Sequence, residues 1–216
     1  MWLWLMLAGA ADSADDERPG MVGHFEAATY TMLTTAVGDV KRAKKHAKDL
    51  ASREEIPMAI RIEATQLGKC NDLDCASLAV GELARTCAEC HVAGGVGPSP
   101  SGVEALPSMP PQKQHAYAAM YMWIGLVTPH ERAFEVGLDG AVPPVDLDSP
   151  QDLFDQLQAF EQLVGNAKQM GSWDDRADAF GEMLQTCASC HELAGLDRRI
   201  KAEQKLAEKR AKKDKK

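Results

Sequence analysis

The sequence predicts an all-α chain built as two tandem antiparallel four-helix bundles, each closing on a Cys-x-x-Cys-His segment at its C-terminal end. Three observations predict it. Ala, Leu, Met, Glu, Gln and Lys recur with a helical period through both halves, and no stretch alternates as a half-buried strand would. Residues 81–91 match residues 181–191 at seven of eleven positions, including Gly81-Glu82 with Gly181-Glu182 and Thr86 with Thr186. Between the repeats, Gly94 to Pro111 holds five of the chain's eleven prolines together with Gly94, Gly95, Gly97 and Gly102. That composition marks residues 94–111 as a linker.

The first unit, residues 19–93, divides into four helices. Pro19 to Val37 opens with proline in the first turn and stops at Gly38. Asp39 to Ser52 follows, with Asp39 as N-cap candidate and a lysine-rich outer face. Pro57 to Lys69 is the third helix, and Asp72 to about Val92 the fourth.

The second unit, residues 112–195, repeats the plan. Gln112 to Val127 ends before Thr128-Pro129, because the residue preceding proline disfavours the helical conformation. A shorter helix covers His130 to Leu138, and a loop runs through Val142-Pro143-Pro144. Ser149 caps a helix from Pro150 to about Met170, and Ser172 caps the last, Trp173 to about Leu193. Short connections between consecutive helices favour an up-down-up-down antiparallel arrangement.

The chemistry sits in Cys87-Ala88-Glu89-Cys90-His91 and Cys187-Ala188-Ser189-Cys190-His191. Both read as the attachment signature of c-type haem. In that reading Cys87, Cys90, Cys187 and Cys190 bind two covalent haem c groups through their vinyl carbons, and His91 and His191 are iron ligands. Val80, Ala84, Cys87 and His91 form one helical stripe, and Phe180, Leu184, Cys187 and His191 repeat it. The stripe is about 16 Å long at about 1.5 Å per residue, comparable with a haem's width.

A redox dithiol and a zinc site are the rivals. A redox dithiol usually follows a β-strand, and none is predicted before either motif. Cys70, Cys75, Cys87 and Cys90 offer four thiols for zinc, but the match between the two motifs argues against it. Cys70 and Cys75 are instead expected to close a small disulfide, as suits an oxidising compartment.

The opposite face of each iron needs its own account. No methionine or histidine follows His191, so any protein ligand to the second haem lies upstream. In an antiparallel bundle the start of the first helix lies beside the end of the fourth. His24 and His115 occupy those starts, and Ala27-Ala28 and Tyr30 match Ala118-Ala119 and Tyr121 at the same offsets. His24 and His115 are therefore nominated as the second iron ligands. Met21, Met32, Met120 and Met122 are the rivals, otherwise core fillers. His46, on a lysine-rich helix, and His130, beside a proline turn, are expected to be solvated.

The ends of the chain differ in character. Trp2 to Ala11 is an apolar run followed by acidic residues, and residues 1–11 read as an export signal peptide, complete or truncated at its start. The run is too short to span a bilayer, so no integral membrane span is expected. Residues 196–216 form a basic tail; from Arg198 onward it carries ten basic and three acidic residues. Its charge suits weak contact with an anionic membrane surface. With the chain at net −8, the remainder stands at −15. An acidic body repels nucleic acid and favours redox partners with basic docking surfaces.

On these motifs, over about residues 19–93 and 112–195, the chain resembles the class II, cytochrome c′-like, c-type cytochromes. The resemblance implies four-helix bundles and periplasmic electron transfer, or gas binding in members whose haem keeps an open face. There are departures. Members are commonly single-haem, and low-spin members typically use a first-helix methionine where His24 and His115 stand here. No basic residue follows shortly after His91 or His191, although the family's motif often has one.

The expected function is a periplasmic di-haem carrier of single electrons, not an enzyme, with two low-spin bis-histidine haems. Such ligation gives a lower potential than His/Met ligation. The alternative is a nitric oxide- or carbon monoxide-binding sensor with a five-coordinate haem. Peroxidase activity is disfavoured, since no distal acid/base constellation is evident.

Overall fold

The computed structural model describes residues 19–95, 103, 105–108, 110–142 and 150–195, with the side chains of 19–22 and 111–112 excepted. Every secondary-structure element among these residues is a helix: α1 Pro19–Ala36, α2 Val40–Ser52, α3 Met58–Leu67, α4 Leu73–Gly94, α5 Pro111–Val127, α6 Glu131–Ala141, α7 Gln151–Ala167 and α8 Trp173–Leu193. Residues 1–11, most of the linker, Pro143, Pro144, the Ser149 cap and residues 196–216 lie outside the described residues. No described helix is long and apolar enough to cross a membrane.

Local chemistry sets the helix ends. Asp39, Asp72 and Ser172 each accept a hydrogen bond from the backbone N–H three residues on, at 3.1, 2.9 and 3.0 Å. His130 does the same through Nδ1, accepting from Ala133 N–H at 3.1 Å. That puts an imidazole where its counterpart Asp39 stands in the first repeat, so His130 is engaged as a helix cap instead of merely solvated. Gly95 and Gly195 follow α4 and α8 with left-handed φ of 59° and 64°, a backbone geometry that glycine adopts without a Cβ clash.

Consecutive helices pack as neighbours in the first repeat, and α1 returns to touch α4. The second repeat is looser: α5 pairs with α6 and α7 with α8, while α6 and α7 meet only lightly. What joins the repeats is α4 against α8. They run antiparallel, with Asp74 opposite Gln185 and Arg85 opposite Asp174 and Asp178. Gln185 donates to Asp74 Oδ1 at 2.7 Å, and Arg85 pairs with Asp178 at 2.6 Å and Asp174 at 3.3 Å.

At the crossing the backbones nearly touch. A Cβ on Gly81 would lie 2.6 Å from the Ala177 carbonyl oxygen, and one on Gly181 3.1 Å from that of Ser77. These are reciprocal contacts: position 81 of each repeat meets position 77 of the other, and Asp74–Gln185 mirrors Arg85–Asp174. An exchange of this kind is what a two-fold axis produces in a homodimer, here realised within one chain. Trp123 adds a bridge between the first helices of the repeats, donating from Nε1 to Thr29 Oγ1 at 3.0 Å.

Candidate functional site

Packing of α4 and α8 determines which way their motifs face. Val80, Ala84, Cys87 and His91 are all buried along α4, as are Phe180, Leu184 and Cys187 along α8, with Cys90, Cys190 and His191 half-buried. The stripes read from sequence are therefore the inward faces of both helices.

The first helix of each repeat brings a second histidine to the motif. The His24 and His91 rings lie with centroids 6.3 Å apart, and those of His115 and His191 6.2 Å apart. A metal–imidazole bond of about 2 Å and a ring radius of about 1 Å on each side put two imidazole centroids about 6 Å apart across one iron. The centroid spacing of both pairs matches that figure. His24 is buried and His115 half-buried.

Hydrogen bonds set the ring nitrogens. His91 Nδ1 lies 2.5 Å from the Val127 carbonyl oxygen, His191 Nδ1 2.8 Å from that of Ala36, and His115 Nδ1 2.5 Å from that of Ala141. A carbonyl oxygen only accepts, so each Nδ1 carries a proton, and in the neutral ring Nε2 keeps its lone pair. That is the tautomer a metal-binding imidazole needs, oriented by a backbone partner. Burial also pushes His115 and His191 below the ordinary histidine range, although their carbonyl bonds pull the other way. Burial thus favours the neutral ring.

The partners cross between repeats. His91 belongs to the first repeat and Val127 ends α5 of the second; His191 belongs to the second and Ala36 ends α1 of the first. Ala36 and Val127 stand twelve residues after His24 and His115, so they are equivalent positions. Each motif histidine faces a histidine of its own repeat and is oriented by the other repeat.

Cys87 and Cys187 lack the lowered thiol pKa of a redox dithiol. Burial pushes the Cys87 and Cys187 thiols up to about 12, whereas reactive dithiols depend on a lowered value. Cys70 and Cys75 are joined in a disulfide with Cα atoms 5.4 Å apart, which removes them as zinc ligands. Among the described residues, no group of three or more His, Cys, Asp or Glu side chains gathers as a metal site. A haem iron needs only two protein ligands, one on each face.

The remaining candidates lie elsewhere. Met32, Met120 and Met122 are buried in the apolar core, the Met21 side chain falls outside the described residues, and His46 stacks on Tyr30 at 5.4 Å. Sequence reasoning missed the Ala36 and Val127 carbonyls, since a backbone group leaves no residue-type signal. It also missed the crossing, although Gly81 and Gly181 inside helices were the available sign of close backbone approach. Comparison with protein-family models, curated proteins and solved structures finds no match to this chain.

Proposed function

We propose that the chain is an exported, periplasmic di-haem c-type cytochrome that carries single electrons between redox partners. Its residues then form two tandem four-helix units, with one haem on Cys87, Cys90, His91 and His24 and another on Cys187, Cys190, His191 and His115. The carrying observation is that each Cys-x-x-Cys-His histidine faces a second histidine at the spacing of a shared iron, 6.3 and 6.2 Å between centroids.

Bound haem would supply reversible one-electron exchange at iron. The chain's own part would be to present His24 with His91 and His115 with His191 as the two protein ligands of each site, with burial favouring the neutral ring at His115 and His191. Helix-end carbonyls keep the Nδ1 protons of His91, His191 and His115 in place, so the histidines need not reorganise with charge. Val80, Leu83, Phe180 and Leu184, buried on the same two helices as the motifs, would give a bound haem an apolar setting.

The test is a haem count on protein produced with c-type maturation and secretion. Alkaline pyridine spectra should give two haems per chain, and Cys187→Ser with Cys190→Ser should leave one. A protein that matures without covalent haem would contradict the proposal.

A further inference from the structure

The two repeats share a plan but not a charge. Residues 19–95 carry ten acidic and nine basic side chains, net −1, whereas residues 111–195 carry thirteen acidic and four basic, net −9. Four of the first repeat's lysines, Lys41, Lys44, Lys45 and Lys48, line one open groove on α2 with Val40 and Asn71. Lys44 donates to Asn71 Oδ1 at 3.1 Å, and none of the four lysines is ion-paired among the described residues. The equivalent positions of α6 hold Arg132, Glu135, Val136 and Asp139, so the charge reverses at two of them.

The groove is also placed. α2 begins directly after the α1–α2 corner, whose Ala36 carbonyl accepts from His191 at 2.8 Å. A Cβ on Gly38 of that corner would sit 3.7 Å from the Ala188 Cβ, inside the second Cys-x-x-Cys-His motif. Lys41 lies within one helical turn of Gly38. A body resting on this face of α2 is therefore brought to the second site by a segment of the first repeat.

We propose that the lysine face of α2 docks a redox protein with an acidic surface, which exchanges one electron at the second site. One centre is oxidised as the other is reduced, and no bond forms or breaks. The proposal rests on the haem reading above for its electron transfer, but not for its docking. Four clustered ammonium groups without ion pairs, on a chain of net charge −8, create a local field opposite in sign to the net charge, and such fields steer encounter and select partners. The acidic second repeat suits a partner of the opposite kind, so the two partners of the carrier are told apart by charge.

The test uses the full haem-loaded chain, with poly-L-glutamate as the acidic probe at low ionic strength. Binding should weaken at least about tenfold in Lys41→Glu/Lys45→Glu/Lys48→Glu, and by less in the triple Lys→Gln variant. It should also fade in high salt. Lys212→Glu/Lys213→Glu/Lys215→Glu/Lys216→Glu, in the basic tail, should retain the lysine-face binding. A second readout is reoxidation by ferricyanide, an anion. At low salt the wild type should react faster at the second haem than the triple Lys→Glu variant, despite the negative net charge.

Undiminished poly-L-glutamate binding by the lysine-face variants, or its complete loss in the tail variant alone, would overturn the proposal. So would capture by phosphatidylglycerol vesicles, or self-association, through these lysines without poly-L-glutamate binding. Absence of haem bands from the wild type would overturn the haem reading while leaving the binding result to judge the docking surface.

Discussion

His191 of the second repeat donates from Nδ1 to the backbone carbonyl of Ala36 in the first, at 2.8 Å. With its counterpart, His91 to Val127 at 2.5 Å, it makes each candidate site the joint property of both repeats. Changes in one repeat should therefore be felt at the other repeat's candidate site.

Gly38 tests that exchange. It sits at the α1–α2 corner with φ of 75°, a conformation that costs a β-branched residue about 1–2 kcal/mol. Gly38→Val should destabilise the fold by about that amount and displace the Ala36 carbonyl. In a potentiometric titration with the two haems resolved, the second haem should shift and the first should not. A shift confined to the first haem would contradict the cross-repeat arrangement.

The α4–α8 crossing makes a contrasting prediction about glycine. At Gly81 an added methyl meets the Ala177 carbonyl oxygen at 2.6 Å, whereas at Gly165 nothing lies within 4 Å. Gly81→Ala should cost about 1–3 kcal/mol through backbone separation. Gly165→Ala, inside α7, should gain about 0.5–1 kcal/mol from helix propensity. Denaturant unfolding of the holoprotein reads both, and equal effects would dismiss the close crossing.

Arg176 clamps the second repeat. Only 8% exposed, it donates to both Glu131 oxygens at 2.6 Å and lies over Trp173 and Phe134 at 4.8 and 5.3 Å. Arg176→Ala should cost about 2 kcal/mol, mostly from lost stacking and packing. Hydrogen bonding from Arg176 holds the Glu131 carboxyl below its ordinary value of 4.5. Its contribution is thus present above pH 4.5 and disappears as pH falls through the lowered value. Acid unfolding of Arg176→Ala should show correspondingly less loss over that interval.

The Cys70–Cys75 disulfide closes a loop with a sequence separation of 5. Chain entropy gives about 2 kcal/mol for a loop this short. The double Cys→Ser variant should lose about that much stability, with both haem spectra unchanged. Disturbance of the first haem would show that these cysteines serve the site directly.

Much of the helix plan was legible because capping and breaking residues act locally. Asp39, Asp72, Ser172 and the Thr128-Pro129 step set boundaries within a few residues of those observed. Pairing His24 with His91 and His115 with His191 was legible too, because the start of one antiparallel helix must meet the end of its neighbour. The interlocking of the repeats was not. It depends on glycines whose role is the absence of a side chain, on carbonyls common to all residues, and on ion pairs such as Arg85–Asp178 spanning 93 positions. His130 was read by its residue type, while its Nδ1 performs the task of the aspartate at the matching position.

If each histidine pair closes around an iron, as proposed, visible absorption of the pure protein, oxidised, reduced and reduced under carbon monoxide, should show two low-spin haems indifferent to carbon monoxide. His115→Ala should show one high-spin haem that binds carbon monoxide beside an unaltered first haem. A carbon monoxide shift in the wild type, or an unchanged spectrum in His115→Ala, would rule out the paired ligation.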